Sequence, residues 1–307
     1  MRARAPASAA NLGPGLDVLG LALRLHCEVD AAPADALAIT AIGEGADLPG
    51  GPEHLAARVA VAVSGHDRWA LTVRSSIPVA RGLGSSSALA LATAAAVAGA
   101  VAGAGGSTGA GGQGGGHPLA VAAAFDGHAE NAAAACLGGL VVATGGAGSR
   151  GAVPASGTAA TRLALDPALV AVVVVPDRPL PTARARHALP DRVALADATF
   201  NLGRLALLVA GLADHRVLVA EATDDHLHDE ARRPLFPEAA ELRRGLVAAG
   251  ALAAATSGAG PSVIGFCRRG DGPRLRDAGH QVLSHAGVAG QALLLEPDLE
   301  GLVVEEP

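Results

Sequence analysis

Ile77-Pro78-Val79-Ala80-Arg81-Gly82-Leu83-Gly84-Ser85-Ser86-Ser87-Ala88 decides the fold. Upstream, Ala70 to Arg74 alternates apolar and polar side chains, the pattern of a strand. Downstream, Ala88 to Ala104 is made almost wholly of Ala, Leu, Val and Gly and predicts a buried helix. Strand, glycine-rich bend and helix start aim backbone N–H groups and the positive end of a helix dipole at one point, a place for an anion. Gly82 and Gly84 allow positive φ and a close approach to a ligand. Ser85, Ser86 and Ser87 supply N-cap oxygens, and their hydroxyls suit phosphate or a metal ion. An ordinary serine-capped helix uses the same residues, so the longer string Pro-x-x-x-Gly-Leu-Gly-Ser-Ser-x-Ala carries the weight. A Walker A loop needs Lys directly after its last Gly, and this chain has no Lys. A dinucleotide fingerprint needs a third Gly where Ser87 stands.

Working outward, 307 residues allow about two domains, each able to bury a core. That core must come from Ala, Val and Leu, because the chain has four Phe, one Trp and no Tyr. A net charge of −6 and few aromatic rings argue against nucleic acid. All 23 positive charges are Arg, which suits carboxylate or phosphate recognition. Cys27, Cys136 and Cys267 are odd in number and far apart, which fits small core residues in a reduced, cytoplasmic compartment. Arg2 and Arg4 precede Ala5-Pro6-Ala7 with no apolar stretch between, so no signal peptide is expected. The apolar helix after Ser87 is Ala/Gly-rich and short of a membrane span, so no membrane partner is expected either.

Several polar clusters stand out along the chain. Pro6 to Gly20 is a glycine/proline turn carrying Asn11 and Asp17, which an ordinary strand-to-strand loop also explains. Strands are expected at 37–42, 140–144, 170–175, 251–256, 262–267 and 289–295, and helices at 55–64, 118–126, 132–137, 191–212, 237–250 and 271–286. Residues 103–116 are low-complexity and read as a flexible surface loop. Phe125-Asp126-Gly127-His128-Ala129-Glu130-Asn131 packs two carboxylates, an imidazole and an amide together, either a site or a solvated connector. Pro181-Thr182-Ala183-Arg184-Ala185-Arg186 is either a binding segment or a solvated arginine pair before a helix. His226 and His228, two apart, fall on different helix faces and read as solvent-facing polar residues rather than a metal site. Ser257-Gly258-Ala259-Gly260-Pro261 joins two strands and makes a candidate anion nest.

The 78–88 string resembles the phosphate loop of the GHMP kinases. Pro6-Ala7-Ser8-Ala9-Ala10-Asn11-Leu12-Gly13-Pro14-Gly15-Leu16-Asp17 resembles that family's first motif in its homoserine kinase form, with Leu16 where Phe is usual. The 126–131 cluster, the 181–186 segment, Asp225-His226-Leu227-His228 with Arg232, and the 257–261 turn resemble further motifs in the same order, covering residues 5 to 295. The resemblance implies a mixed α+β (α/β) two-domain fold, an ATP-binding α/β domain over 1–155 and a ferredoxin-like domain over 156–307. It implies that Pro78, Arg81, Gly82, Leu83, Gly84, Ser85, Ser86 and Ser87 hold ATP, and that Ser86 and Asp126 hold Mg²⁺. Asn11, Asp17, His128, Glu130, Asn131, Thr182, Arg186, Arg232 and Gly258 would bind L-homoserine, with Glu130, Asn11 and Arg186 closest to the chemistry. The sequence does not fix the assembly and leaves a homodimer open. Asp stands at 126 where the family has Glu, and Glu at 130 where it has Asp, each moving an oxygen by about 1 Å, a shift that can cost about 10²-fold in rate. Those two swaps keep open a kinase of another small alcohol, or a nucleotide-binding paralogue without catalysis.

Overall fold

The computed structural model describes residues 1–103, 117–144 and 159–306. The low-complexity loop at 103–116 and the division near 155 therefore fall almost wholly outside the described residues. The chain opens with β1 (Arg2–Asn11), β2 (Gly15–Pro33) and β3 (Ala38–Gly43), followed by α1 (Leu55–Ser64) and β4 (Trp69–Ser75). Next come α2 (Ser85–Gly103), α3 (Pro118–Asp126), α4 (Ala129–Leu137), β5 (Leu140–Thr144) and β6 (Ala159–Arg162). The second half runs β7 (Leu169–Pro176), α5 (Thr182–His187), α6 (Leu195–Ala213), α7 (Asp229–Arg232), α8 (Ala239–Ala248) and β8 (Ala253–Thr256). It ends with β9 (Val263–Arg268), α9 (Gly272–His285), β10 (Gly290–Leu295) and β11 (Val303–Glu305).

The first sheet has the order β11-β1-β2-β4-β3, with β5 and β6 continuing from β2. Its β1–β2 pair is an antiparallel hairpin whose turn carries Asn11 and Asp17; β3 and β4 are parallel around α1. The strands of 19 and 3 residues at β2 and β11 have no separate signal in the sequence pattern, and β11 returns the C-terminal end to β1. The second sheet has the order β10-β7-β9-β8, all antiparallel, which with α8 and α9 is the split βαβ arrangement of ferredoxin-like folds. All eight residues of β7 are buried, so the apolar run reads as a strand covered on both faces.

Alanine does the packing. On α2 every residue from Ala90 to Val97 is buried, and its small side chains let it lie against β1 and β2. The helix starts at Ser85, three residues before the sequence pattern predicts, because Gly84 O accepts the Ala88 N–H at 2.9 Å. Gly84 is thus the capping position, and Ser85, Ser86 and Ser87 form the first turn rather than the cap. Both α2 and α6 are long and apolar enough to cross a membrane, but α2 lies within the first domain's packing. By contrast α6, expected to be amphipathic, leaves Leu195, Leu202 and Leu207 exposed.

Glycine 20 shows how sheet and helix set up the site. A Cβ there would stand 2.5 Å from the Glu130 carbonyl oxygen, so only glycine lets α4 press its first turn onto β2.

Candidate active site

The 82–87 segment is held in shape by its neighbours on both sides. Gly82 and Gly84 take φ of 72° and 65°. A Cβ on Gly82 would meet Ser257 O at 2.2 Å, and one on Gly84 would meet Ser8 Oγ at 2.0 Å. Ser257 donates its hydroxyl to Gly82 O at 2.6 Å, and Ser8 N–H donates to Leu83 O at 3.1 Å. The bend is therefore clamped between the first motif and the 257–261 turn. Because α2 begins at Ser85, its first N–H groups have no intrahelical partner and mark the helix's positive end.

Asp126 ends α3 and faces this helix start, accepting short hydrogen bonds from both the Ser86 and Ser87 hydroxyls. Two hydroxyls and a carboxylate at a helix N-terminus form an all-oxygen set suited to a hard cation such as Mg²⁺. Arg81 borders the cleft, but its guanidinium is engaged by backbone: it donates to Pro176 O and Val79 O, both at 2.8 Å, and to Asp177 O. Its guanidinium ties the bend to the end of β7. Pro78 is buried behind the bend, Leu83 lines the cleft from a buried position, and Ser87 is buried apart from its bond to Asp126.

One cleft is lined by Asn11, residues 80–86, Asp126, His128, Glu130, Asn131, Thr182, Arg232, Gly258 and Ala259. Asp17 joins it from the β1–β2 turn, with oxygen and nitrogen atoms of Asp17, His128 and Glu130 within 4.8 Å of one another. Asn11 and Asp17 both take positive φ, 66° and 58°, an unusual backbone for residues other than glycine. The Asn11 amide is spent on the backbone: Oδ1 accepts the Asp17 N–H at 3.0 Å and Nδ2 donates to Gly258 O at 2.8 Å. Asp17 receives two bonds from Arg186 Nη1, at 2.7 and 2.5 Å, linking the first sheet's turn to α5. Asn131 Oδ1 accepts the Ser8 hydroxyl at 2.7 Å, which leaves the amide N–H groups of Asn131 for the cleft. Thr182 starts α5 at the rim, exposed.

Charge is balanced within this cleft. Burial works to lower the His128 pKa, but its contact with Glu130 Oε1 at 3.5 Å and the charges of Asp126 and Glu130 outweigh it, so the pKa is raised. Glu130 is itself only 2% exposed. Arg232 is buried, which pulls its pKa below the usual guanidinium value, with Asp17 nearby working to raise it. Its Nε donates to Ala185 O at 3.3 Å, and its Nη1 meets His228 Nδ1 at 3.2 Å and Gly258 O at 3.4 Å.

Three features went unselected in the sequence. Ser8 stands inside the first motif and binds both the bend and Asn131, so its signal was present but looked like packing. A second hollow of about 310 Å³ adjoins Ser85 and Ser86 and is walled by Leu48, Pro49, Leu55, Val79 and Leu89. Its residues come from four separate segments, so no motif announces it. His228, placed by resemblance in the motif that ends at Arg232 but given no role of its own, is fully buried.

The family described as "GHMP kinases N terminal domain" matches residues 53–139, and "GHMP kinases C terminal" matches residues 203–285. The homoserine kinase of Moorella thermoacetica is 39% identical over 98% of each chain. That of Mycobacterium tuberculosis is 39% identical over 84% of this chain and 81% of its own. Among solved structures, a homoserine kinase from Cytophaga hutchinsonii superposes with a TM-score of 0.77 at 23% identity, covering 99% of this chain and 97% of that one. The chain belongs to the GHMP kinases, in their homoserine kinase branch, and is a phosphotransferase acting on an alcohol.

Proposed function

We propose that this GHMP kinase transfers the γ-phosphoryl group of ATP to the hydroxyl of L-homoserine, giving O-phospho-L-homoserine and ADP in the cytoplasm, on the route to threonine. The observation that carries the reading is a single cleft with a phosphate-type helix start at one end and paired carboxylate and guanidinium groups at the other. In this reading the N–H groups of 84–87 bind the β- and γ-phosphates, and the hollow beside Ser85 takes the base. Ser86 and Asp126 hold Mg²⁺, which when bound offsets the charge on the transferring phosphoryl group.

The acceptor is held by both halves of the chain. Asp17 and Glu130 face the ammonium group, a role suited to carboxylates. Among the described residues the Arg232 Nη2 donors have no hydrogen-bond partner, and they are the ones offered to the homoserine carboxylate. The Asn131 amide donates to the hydroxyl oxygen, and Arg186 fixes Asp17. Asn11 shapes the turn, since its amide is already engaged at both ends. Glu130 positions and balances His128 rather than acting as base, and the hydroxyl proton passes to the transferred phosphate. Phosphoryl transfer depends mainly on such positioning and charge stabilisation. The exposed apolar face of α6 is why a homodimer is our expectation, to be measured by light scattering. The division into 1–155 and 156–307 is likewise proposed.

A ³¹P-monitored reaction with Mg·ATP should give O-phospho-L-homoserine, and ADP release should favour homoserine over serine, mevalonate and shikimate. Equal or no turnover of homoserine would overturn the assignment.

A further inference from the structure

His228 is buried to 0% exposure, yet neither ring nitrogen lacks a partner. Nε2 lies 2.8 Å from Gly13 O, in the turn between Asn11 and Asp17. A carbonyl oxygen can only accept, so Nε2 carries the hydrogen. Nδ1 lies 3.2 Å from Arg232 Nη1, and a guanidinium can only donate, so Nδ1 is the bare nitrogen. The two partners fix the tautomer without appeal to pKa. Asp225 and Asp229 stand 3.8 and 3.6 Å from the ring nitrogens, beyond hydrogen-bond reach. Instead Asp225 grips the segment's backbone, accepting the N–H groups of Leu227, His228 and Asp229 at 3.1, 2.6 and 2.8 Å. Asn201 on α6 donates to Asp225 at 2.6 Å, so the imidazole sits on a fixed backbone.

We propose that His228 is a positioning residue that sets Arg232 in register with the substrate turn at Gly13. One ring thus spans the two sheets, with the first sheet's turn on one nitrogen and the second half's guanidinium on the other. Arg232 has three bonds through Nε and Nη1, two of them to carbonyl oxygens at 3.3 and 3.4 Å. The contact with His228, at 3.2 Å, is the only one of the three made to a side chain, and Asp17 lies near enough to act on the guanidinium's charge. The homoserine carboxylate and ammonium would then meet Arg232 and Asp17 at a separation that this imidazole holds constant. The inference rests on the reading of Arg232 as the carboxylate-binding group.

The test is a kinetic double-mutant cycle on the full chain. His228→Gln keeps a donor for Gly13 O and removes the acceptor for Arg232; it should raise KM for homoserine about tenfold, the worth of a typical lost hydrogen bond, with KM for ATP unchanged. The same change made in an Arg232→Lys background should add less than twofold. His228→Asn, which places an amide oxygen near the Nδ1 position, should lie between wild type and His228→Gln, and it serves if His228→Gln does not fold. An equal rise in both KM values, an equal loss in both backgrounds, or no change at all would overturn the inference. If Arg232→Lys alone leaves KM for homoserine unchanged, the carboxylate reading has failed. If Arg232→Lys raises it and His228→Gln does not, only the role of His228 has failed.

Discussion

The two ends of the cleft are built from different material. The phosphate end is local: Ser86, Ser87 and Asp126 lie about forty residues apart, on the start of α2 and the end of α3. Its shape comes from backbone, with two positive-φ glycines that a Cβ would push into Ser257 and Ser8. The acceptor end is non-local: Asp17 and Arg186 are 169 residues apart, Gly13 and His228 215, and Asn11 and Gly258 247. Its shape comes from charge pairs and single hydrogen bonds that cross from one sheet to the other. The first end takes its side chains from two neighbouring helices, and only its backbone bend is clamped from the second half, by Ser257. The second exists only when both halves are docked, so substitutions there should act on the acceptor and spare the nucleotide.

The sharpest way to break this contrast is Asp126→Ala. It removes the carboxylate proposed to hold Mg²⁺ at the helix start, and kcat should fall by about 10³-fold with KM for homoserine little changed, since the metal's charge stabilisation of the transition state would be lost. Next in size is Arg186→Ala, which strips Asp17 of its partner. KM for homoserine should rise and kcat/KM fall by roughly 10–100-fold, the worth of a charged hydrogen bond, while KM for ATP stays put. Should Arg186→Ala weaken ATP as much as homoserine, the two ends are not separable. Gly84→Ala is smaller and opposite in sense. A side chain at φ 65° costs about 1–2 kcal/mol and would push on Ser8, so KM for ATP should rise about tenfold and Tm fall by about 4 °C.

The same contrast explains what could be read from the chain beforehand. The phosphate bend was legible because its function is written in consecutive residues, and the helix 55–64 appeared as expected. The helix start differed because serines are good caps and also good first-turn residues; the Gly84 carbonyl took the capping bond. The second sheet followed from Val170–Val175 and from the turn at 257–261. The acceptor end was legible only as a set of residue types. That Arg186 pairs with Asp17, that Arg81 donates to the backbone oxygens of Pro176 and Asp177, and that His228 is buried all depend on chain segments far apart in sequence. Periodicity is blind to such contacts. The hollow beside Ser85 was missed for the same reason, as its lining comes from four separate segments.

The smallest effect sits where the two ends meet, at His128. Its raised pKa reflects contact with Glu130 and the charge of Asp126, acting against the burial that would lower it. The sign follows from linkage: the charged imidazole stabilises the fold below the ordinary histidine value of about 6.5, and the gain is lost as pH rises through the higher folded-state value. In the proposed mechanism the same proton would matter for catalysis, because a charged His128 would offset Asp126 and Glu130 beside the phosphate site. Above that pKa the cleft grows more negative, so kcat/KM for homoserine should fall by about fivefold, the equivalent of 1 kcal/mol. His128→Gln should start from the lower level and lack this alkaline limb. Its Tm deficit relative to wild type should also shrink between pH 6 and pH 9. A pH profile for His128→Gln that parallels the wild type would place the titrating group elsewhere, and would leave the phosphate and acceptor ends without the electrostatic link that His128 provides here.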